Sequence, residues 1–226
     1  MKKKIIYVLC ILGVLLVLLG LKKRNDTMYS SGVYHLNRSG IVESIDNNNI
    51  VVRLDKLNEQ DESIYARGKS GGVITTKDIE QATEFYILAG YEQSDAEDKA
   101  VEYMLQRDAT YQRAIAAGYS VSDDEINDYL DDLKVTINDS INSEEAQALI
   151  SQFGSEEEYW QHEFEVYKIN LPIEKYLESL KQEYLKNSIS TRSNNQEAEE
   201  TIENYNRYIE DVQSELVKQE QYEIFE

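Results

Sequence analysis

From Thr75 onward, apolar residues recur at steps of three and four, the period of an amphipathic helix. Ile79, Ala82, Phe85, Tyr86 and Ala89 form one stripe; Ala100, Val101, Met104, Leu105, Tyr111 and Ile115 a second; Ile126, Tyr129, Leu130, Leu133 and Ile137 a third. Helix starts are marked by hydroxyl residues three positions before an acid: Thr75 with Asp78, Ser94 with Glu97, Ser122 with Glu125 and Ser155 with Glu158. At that spacing each side chain can satisfy the other's free backbone N–H. Gly90, Gly118 and Gly154 fall where a helix ends in a left-handed residue. The pattern predicts helices over 76–89, 95–117, 123–138 and 156–186, with a shorter one near 144–153. Pro172 lies inside the last of these and predicts a kink or a fresh start there.

Before Thr75 the pattern is different. Gly40 to Ile45 and Asn49 to Leu54 are short β-like runs separated by Asp46-Asn47-Asn48-Asn49, and Ser63 to Arg67 and Gly72 to Thr76 flank the turn Gly68-Lys69-Ser70-Gly71-Gly72. Both read as hairpins with turn-forming residues between the strands. At the other end, Ile202, Tyr205, Ile209, Val212 and Leu216 make one more amphipathic helix, after which Tyr222 to Glu226 alternates at period two. A lone strand needs a partner, so this one is expected to pair with an early strand and close the domain end to end.

Ile5 to Leu21 is an uncharged run bracketed by Lys2, Lys3, Lys4 and by Lys22, Lys23, Arg24. It is long enough to cover a bilayer core with its lysines snorkelling, so Ile5, Leu9, Leu15, Leu19 and Leu21 are expected to anchor the chain in a lipid bilayer. A cleavable secretory signal is the alternative, although small residues at the cleavage positions are missing. The basic flanks balance, and orientation is not decided by them. Cys10 sits in the middle of the run, so it is neither a lipoprotein cysteine nor half of an internal disulfide.

Composition sharpens this organisation. The 226 residues hold 43 acidic and 23 basic side chains, and 41% are hydrophobic, enough to bury a core. All the acids lie after residue 24, so residues 25–226 set 17 basic groups against 43 acidic ones. Such a body repels phosphate backbones and has no basic stripe, so nucleic acid is excluded as a partner. The order is an anchor at 1–24, a polar tether at 25–40, a β-hairpin region at 41–75, a helical domain at 76–186, a polar linker at 187–196, and a C-terminal helix and strand at 197–226.

Little points to catalysis, to a metal or to a cofactor. Asp123, Asp124, Glu125, Asp128, Asp131 and Asp132 lie along a helix rather than around a loop, and read as a solvated face instead of a Ca²⁺ site. His162 has Glu158 and Glu165 at helical spacing but no second His or Cys, and reads as a surface or helix-junction histidine. There is no G-x-S-x-G, and Gly68 to Gly72 lacks the ending of a phosphate loop. The chain is therefore expected not to be an enzyme.

Residues 109–130, a long helix followed by Gly118 and Val121-Ser122-Asp123-Asp124-Glu125-Ile126, resemble the N-terminal chaperone domain of the SurA and PrsA family. Phe153 to Trp160 is similar to that domain's next junction, Leu171 to Leu177 to its closing helix, and Leu216 to Phe225 to its final helix and strand. The resemblance covers 64–186 and 200–226. It implies a mainly α, SurA N-terminal-like fold with a small β element closed by the C-terminal strand, beside one N-terminal transmembrane helix. It also implies a bacterial cell-membrane protein, single-pass, with its N-terminus cytoplasmic and its body extracytoplasmic, binding unfolded or exported polypeptides. In that family a parvulin isomerase domain stands where this chain has only residues 187–196, so prolyl isomerase activity is expected to be missing. A scaffold or assembly subunit holding one dedicated protein partner is the alternative.

Tyrosine is in excess, with 17 in the chain. Its apolar ring and wet hydroxyl suit a groove for unfolded chains. Tyr86, Tyr103, Tyr111, Tyr129 and Tyr159, with Trp160 and Phe164, are the candidate peptide-binding residues; the competing reading is core residues with hydroxyls at the surface.

Overall fold

A Gly-rich turn sets the first two strands against each other. In the computed structural model, which describes residues 63–88, 90–139, 143–151, 155–189 and 197–225, β1 (Ile64–Arg67) pairs antiparallel with β2 (Val73–Thr75). Gly68 N–H donates to Gly72 O at 2.9 Å and Gly71 N–H to Gly68 O at 3.0 Å. Gly71 takes φ 94°, a left-handed conformation that a Cβ disfavours. Ala66 stands opposite Ile74 and both are buried, while Arg67 and Val73 face outward.

The expected terminal strand is present as β3 (Glu223–Ile224). It pairs antiparallel with β1 on the edge opposite β2, setting Ala66 against Ile224 and Arg67 against Glu223. The earlier runs at 41–54, the tether and the apolar N-terminal run with Ile5, Leu9, Leu15, Leu19 and Leu21 lie outside the described residues. None of the described helices is long and apolar enough to cross a membrane.

Six helices complete the described structure, which is mainly α: α1 (Thr76–Leu88), α2 (Gln93–Ala116), α3 (Asp123–Asn138), α4 (Ser143–Ile150), α5 (Glu156–Ile189) and α6 (Glu197–Glu220). Their ends largely follow the capping signals. Thr75 N–H donates to Asp78 Oδ2 at 2.8 Å and Asp78 N–H to Thr75 Oγ1 at 3.1 Å. Ser122 and Glu125 close a full capping box, and Glu158 N–H donates to Ser155 Oγ at 3.1 Å. Gly90 and Gly118 are left-handed; Gly154 lies outside the described residues.

Three local expectations need correction. Helix α2 begins at Gln93 behind Glu92, which caps without its side chain, so Ser94 lies inside the helix. The Glu97 carboxylate accepts from Gln93 Nε2 at 2.6 Å rather than reaching back as a capping partner. Helix α5 also runs on to Ile189, three residues into the expected linker, and no new helix begins at Pro172. That proline is fully buried and lies between buried Leu171 and Ile173, in a turn enclosed by packing on more than one side.

The packing order explains this enclosure. Helix α1 lies on α2; α2 also packs on α5 and α6; α3 packs on α5 and carries α4; and α6 returns to α5. The core accordingly falls into three clusters. One joins the sheet to α1 and α2 (Ala66, Ile74, Ile79, Ala82, Ala100, Met104). A middle one joins α2, α5 and α6 through residues such as Ala109, Ala114, Leu177 and Ile209. The third joins α3, α4 and α5 through Ile126, Leu130, Leu133, Ile150 and Tyr167. Helix α2 spans the first two clusters and α5 the last two.

Candidate functional site

The seven aromatic candidates do not form one site. Tyr86 and Tyr103 pack on the sheet cluster, Tyr111 on the middle one, and Tyr129, Tyr159, Trp160 and Phe164 on the third. The third group is the densest. Tyr159 belongs to its core at 2% exposure, and its ring meets Trp160 edge-on at 4.8 Å between centroids and 79°. Tyr129 of α3 tilts against the buried Tyr167 of α5 at 4.6 Å. Trp160 and Phe164, one turn apart on α5, are half-buried and each carries a lysine over its ring: Lys134 Nζ at 5.0 Å from Trp160 and Lys168 Nζ at 4.8 Å from Phe164. Both lysines are also held by carboxylates, Asp131 and Glu165 respectively. Val135 projects from α3 with 61% exposure, next to Lys134 in sequence.

The α3/α5 seam thus presents a Trp and a Phe at its surface over an apolar floor, with a lysine over each ring and acids beside the lysines, while Val135 lies on the face of α3 opposite the buried Ile126, Leu130, Leu133 and Ile137. A lysine above an aromatic face is held by the ring's quadrupole, an attraction of about 0.5–1 kcal/mol at exposed sites. Such caps are weak enough to be displaced by a ligand.

Around that surface lie buried and partly buried titratable groups. Glu163 is fully buried, and burial pushes the Tyr167 phenol well up, with Tyr129 and Glu163 adding to the shift. Burial also pulls the His162 imidazole down to about 4, against a smaller opposing pull from Glu165. His162 is thus neither an exposed ligand nor a charged group at neutral pH. Among the described residues, no group of His, Cys, Asp and Glu could hold a metal ion.

The buried histidine has a predictable consequence. Unfolded, it takes up a proton near its ordinary value of 6.5; folded, it stays neutral down to about 4. Between these values the unfolded state binds more protons, so the His162 contribution to stability falls as pH falls. At pH 5 the loss is about 1–2 kcal/mol. Glu174 acts in the opposite sense, since desolvation raises its carboxyl, but the residue is exposed and solvent screening weakens its contribution. The comparison that isolates the histidine is His162→Gln against the parent chain. The gap in urea midpoint between the two is expected to shift toward the variant as pH falls from 7 to 5, and a pH-independent gap would refute the assignment.

Sequence reasoning missed two aromatic groupings. Tyr184 of α5 stacks on Tyr208 of α6 at 5.2 Å and 27°, and tilts against Tyr205 at 5.6 Å. Tyr205 is buried, its hydroxyl donates to Leu177 O at 3.3 Å, and burial pushes its phenol up to about 12. Tyr119 meets Tyr176 at 5.8 Å. The three-and-four periodicity of α6 was the available signal for Tyr205, but the partner helix could not be read from it. The sequence also gave no weight to Arg107 of α2, whose Nε and Nη2 both donate to Asn170 Oδ1 of α5, at 3.3 and 3.2 Å.

No protein-family profile, no curated protein and no solved structure matches this chain.

Proposed function

We propose that this chain is a membrane-anchored, extracytoplasmic chaperone-like protein that binds unfolded or exported polypeptides and has no prolyl isomerase activity. The observation that carries the reading is the half-buried aromatic surface of the α3/α5 seam, where Trp160 and Phe164 stand under displaceable lysines. Aromatic rings on rigid helices offer large apolar contact at little entropic cost, and they grip chains of many sequences because the contact is non-directional. The surplus of acids in residues 25–226 supports the same reading, since a strongly charged body remains dispersed while it carries an apolar client. The apolar run Ile5 to Leu21 and the resemblance to SurA-type domains support the membrane anchor and the side of the membrane.

The test is suppression of aggregation. The full chain in lipid nanodiscs, mixed with reduced insulin and followed by light scattering, is expected to delay aggregation at equimolar ratio, and Trp160→Ala with Phe164→Ala to weaken the delay. No delay at stoichiometric excess over empty nanodiscs would overturn the proposal. Recovery of one stoichiometric partner from native membranes, without activity in this assay, would favour the dedicated scaffold instead.

A further inference from the structure

Four arginines lie among the described residues: Arg67, Arg113 and Arg207 are exposed, and only Arg107 is drawn into a helix interface. It projects from the middle of α2 toward α5, where Asn170 sits between Ile169 of the middle cluster and Leu171 of the third. A guanidinium partly removed from water favours anionic or multiple acceptors. Here it has one amide oxygen, shared by Nε and Nη2 at 3.3 and 3.2 Å. Among the described residues no carboxylate lies within ion-pair distance of it, and Nη1 has no acceptor. Arg107 is thus a half-buried cation oriented by a neutral amide of another helix and not by a carboxylate.

The neighbours give the position a character. Tyr103 and Tyr111 stand one helical turn before and after Arg107, so the three share a stripe on α2. All three are half-buried. Among the described residues neither the Tyr103 nor the Tyr111 hydroxyl makes a hydrogen bond. The stripe thus combines an oriented cation, unused O–H donors and apolar rings on either side. Asn170 fixes the guanidinium plane through its carbonyl oxygen, which leaves the Nη1 edge to form the two-pronged contact that a carboxylate accepts.

We infer that the Tyr103-Arg107-Tyr111 stripe, oriented by Asn170, is an anchor for a carboxylate of a bound polypeptide, its C-terminal carboxylate or an Asp or Glu side chain. The inference rests on the polypeptide-binding reading and gives that reading a chemical preference. Arg107 supplies the charge, the two tyrosines hold the residues adjoining the carboxylate, and Asn170 is a positioning residue.

Three versions of one short fluorescent peptide of Phe, Tyr, Gly and Ser separate the possibilities: free C-terminal acid, C-terminal amide, and amide with one central Asp. Binding to the full chain in nanodiscs is read by fluorescence anisotropy. The free acid is expected to bind about tenfold more tightly than the amide, the size of one charge-assisted contact. The advantage is expected to vanish in Arg107→Gln, persist in part in Arg107→Lys, and shrink in Asn170→Ala. If the Asp peptide also gains, the anchor takes side-chain carboxylates; if it does not, only the terminus. Equal affinity for all three peptides on the parent chain overturns the anchor while leaving polypeptide binding intact, and needs no variant to fold. Failure of every peptide to bind overturns the polypeptide-binding reading and the anchor with it.

Discussion

Ile209→Ala is expected to lower the unfolding free energy by about 3 kcal/mol, whereas Ile224→Ala changes it by less than about 0.5 kcal/mol. Both residues belong to the C-terminal segment and both are isoleucines, so the contrast isolates burial. Ile209 has no exposed surface and packs in the cluster of α2, α5 and α6 with Ala109, Ala114, Ile173 and Leu177. Small alanines on α2 let α6 approach closely, which leaves little room for neighbours to collapse into the space an Ile side chain vacates, and uncollapsed cavities are the costly ones. Ile224 is 46% exposed on an edge strand and leaves no cavity. Urea unfolding followed by circular dichroism checks both values. An unchanged midpoint for Ile209→Ala would mean that α6 unfolds separately and that the middle cluster is not part of the cooperative core.

The place of α6 in the core is partly legible in the sequence. Ile202, Tyr205, Ile209, Val212 and Leu216 announced one apolar face, and the alternation after Tyr222 announced a strand in need of a partner. The pairing of β3 with β1 met that expectation because backbone N–H and C=O groups at a sheet edge leave few other solutions. Helix ends were legible wherever the chain spends a side chain on a backbone group, as at Thr75, Ser122 and Ser155. Ser94 failed because the hydroxyl-to-acid spacing permits a capping box without enforcing one, and Gln93 competes for Glu97 from within the same helix. At Pro172 only the fresh start of a helix is overturned: the local penalty for a proline is about 3 kcal/mol, and the fully buried turn around it offsets that through packing, so α5 continues through it.

The candidate site was legible only in kind. An excess of tyrosine spread over all the long helices marked aromatic surface, yet ring-to-ring pairing is decided by how helices cross, and periodicity along one helix carries no information about that. Tyr159 and Trp160 are adjacent in sequence; the first is core at 2% exposure and the second a half-buried surface ring. Neighbouring residues point about 100° apart around a helix, so one belongs to the floor and the other to the rim. Arg107 was illegible for the opposite reason. One arginine in an amphipathic helix is ordinary, and only its long-range bond to Asn170, without a carboxylate, makes it unusual.

Gly72→Ala is expected to destabilise the chain by about 2 kcal/mol through a residue distant in sequence. A Cβ built on Gly72 would lie only 2.6 Å from Asp108 Cγ, nearer than real Cβ contacts come. The Asp108 carboxylate cannot simply swing aside, because it accepts the Tyr222 hydroxyl at 2.6 Å and Gln112 Nε2 at 3.1 Å. Burial and that bond to Asp108 both raise the Tyr222 phenol, so it remains a protonated donor at neutral pH. Gly72 therefore leaves room for a bond that ties α2 to the segment just before β3. A parallel tie lies next to it, where the Ser70 N–H and hydroxyl donate to the Glu220 carboxylate at 2.9 and 2.7 Å. If the alanine acts by dislodging Asp108, it removes what Tyr222→Phe also removes, and the double variant should lose less than the two single losses combined, by about 1 kcal/mol. Gly71→Ala is the control: open space surrounds its Cβ, its cost of about 1 kcal/mol comes from φ 94°, and it should add fully to Tyr222→Phe. Full additivity for Gly72→Ala as well would break the proposed link from the hairpin through Asp108 to the C-terminal strand, leaving backbone pairing and Glu220 to close the sheet.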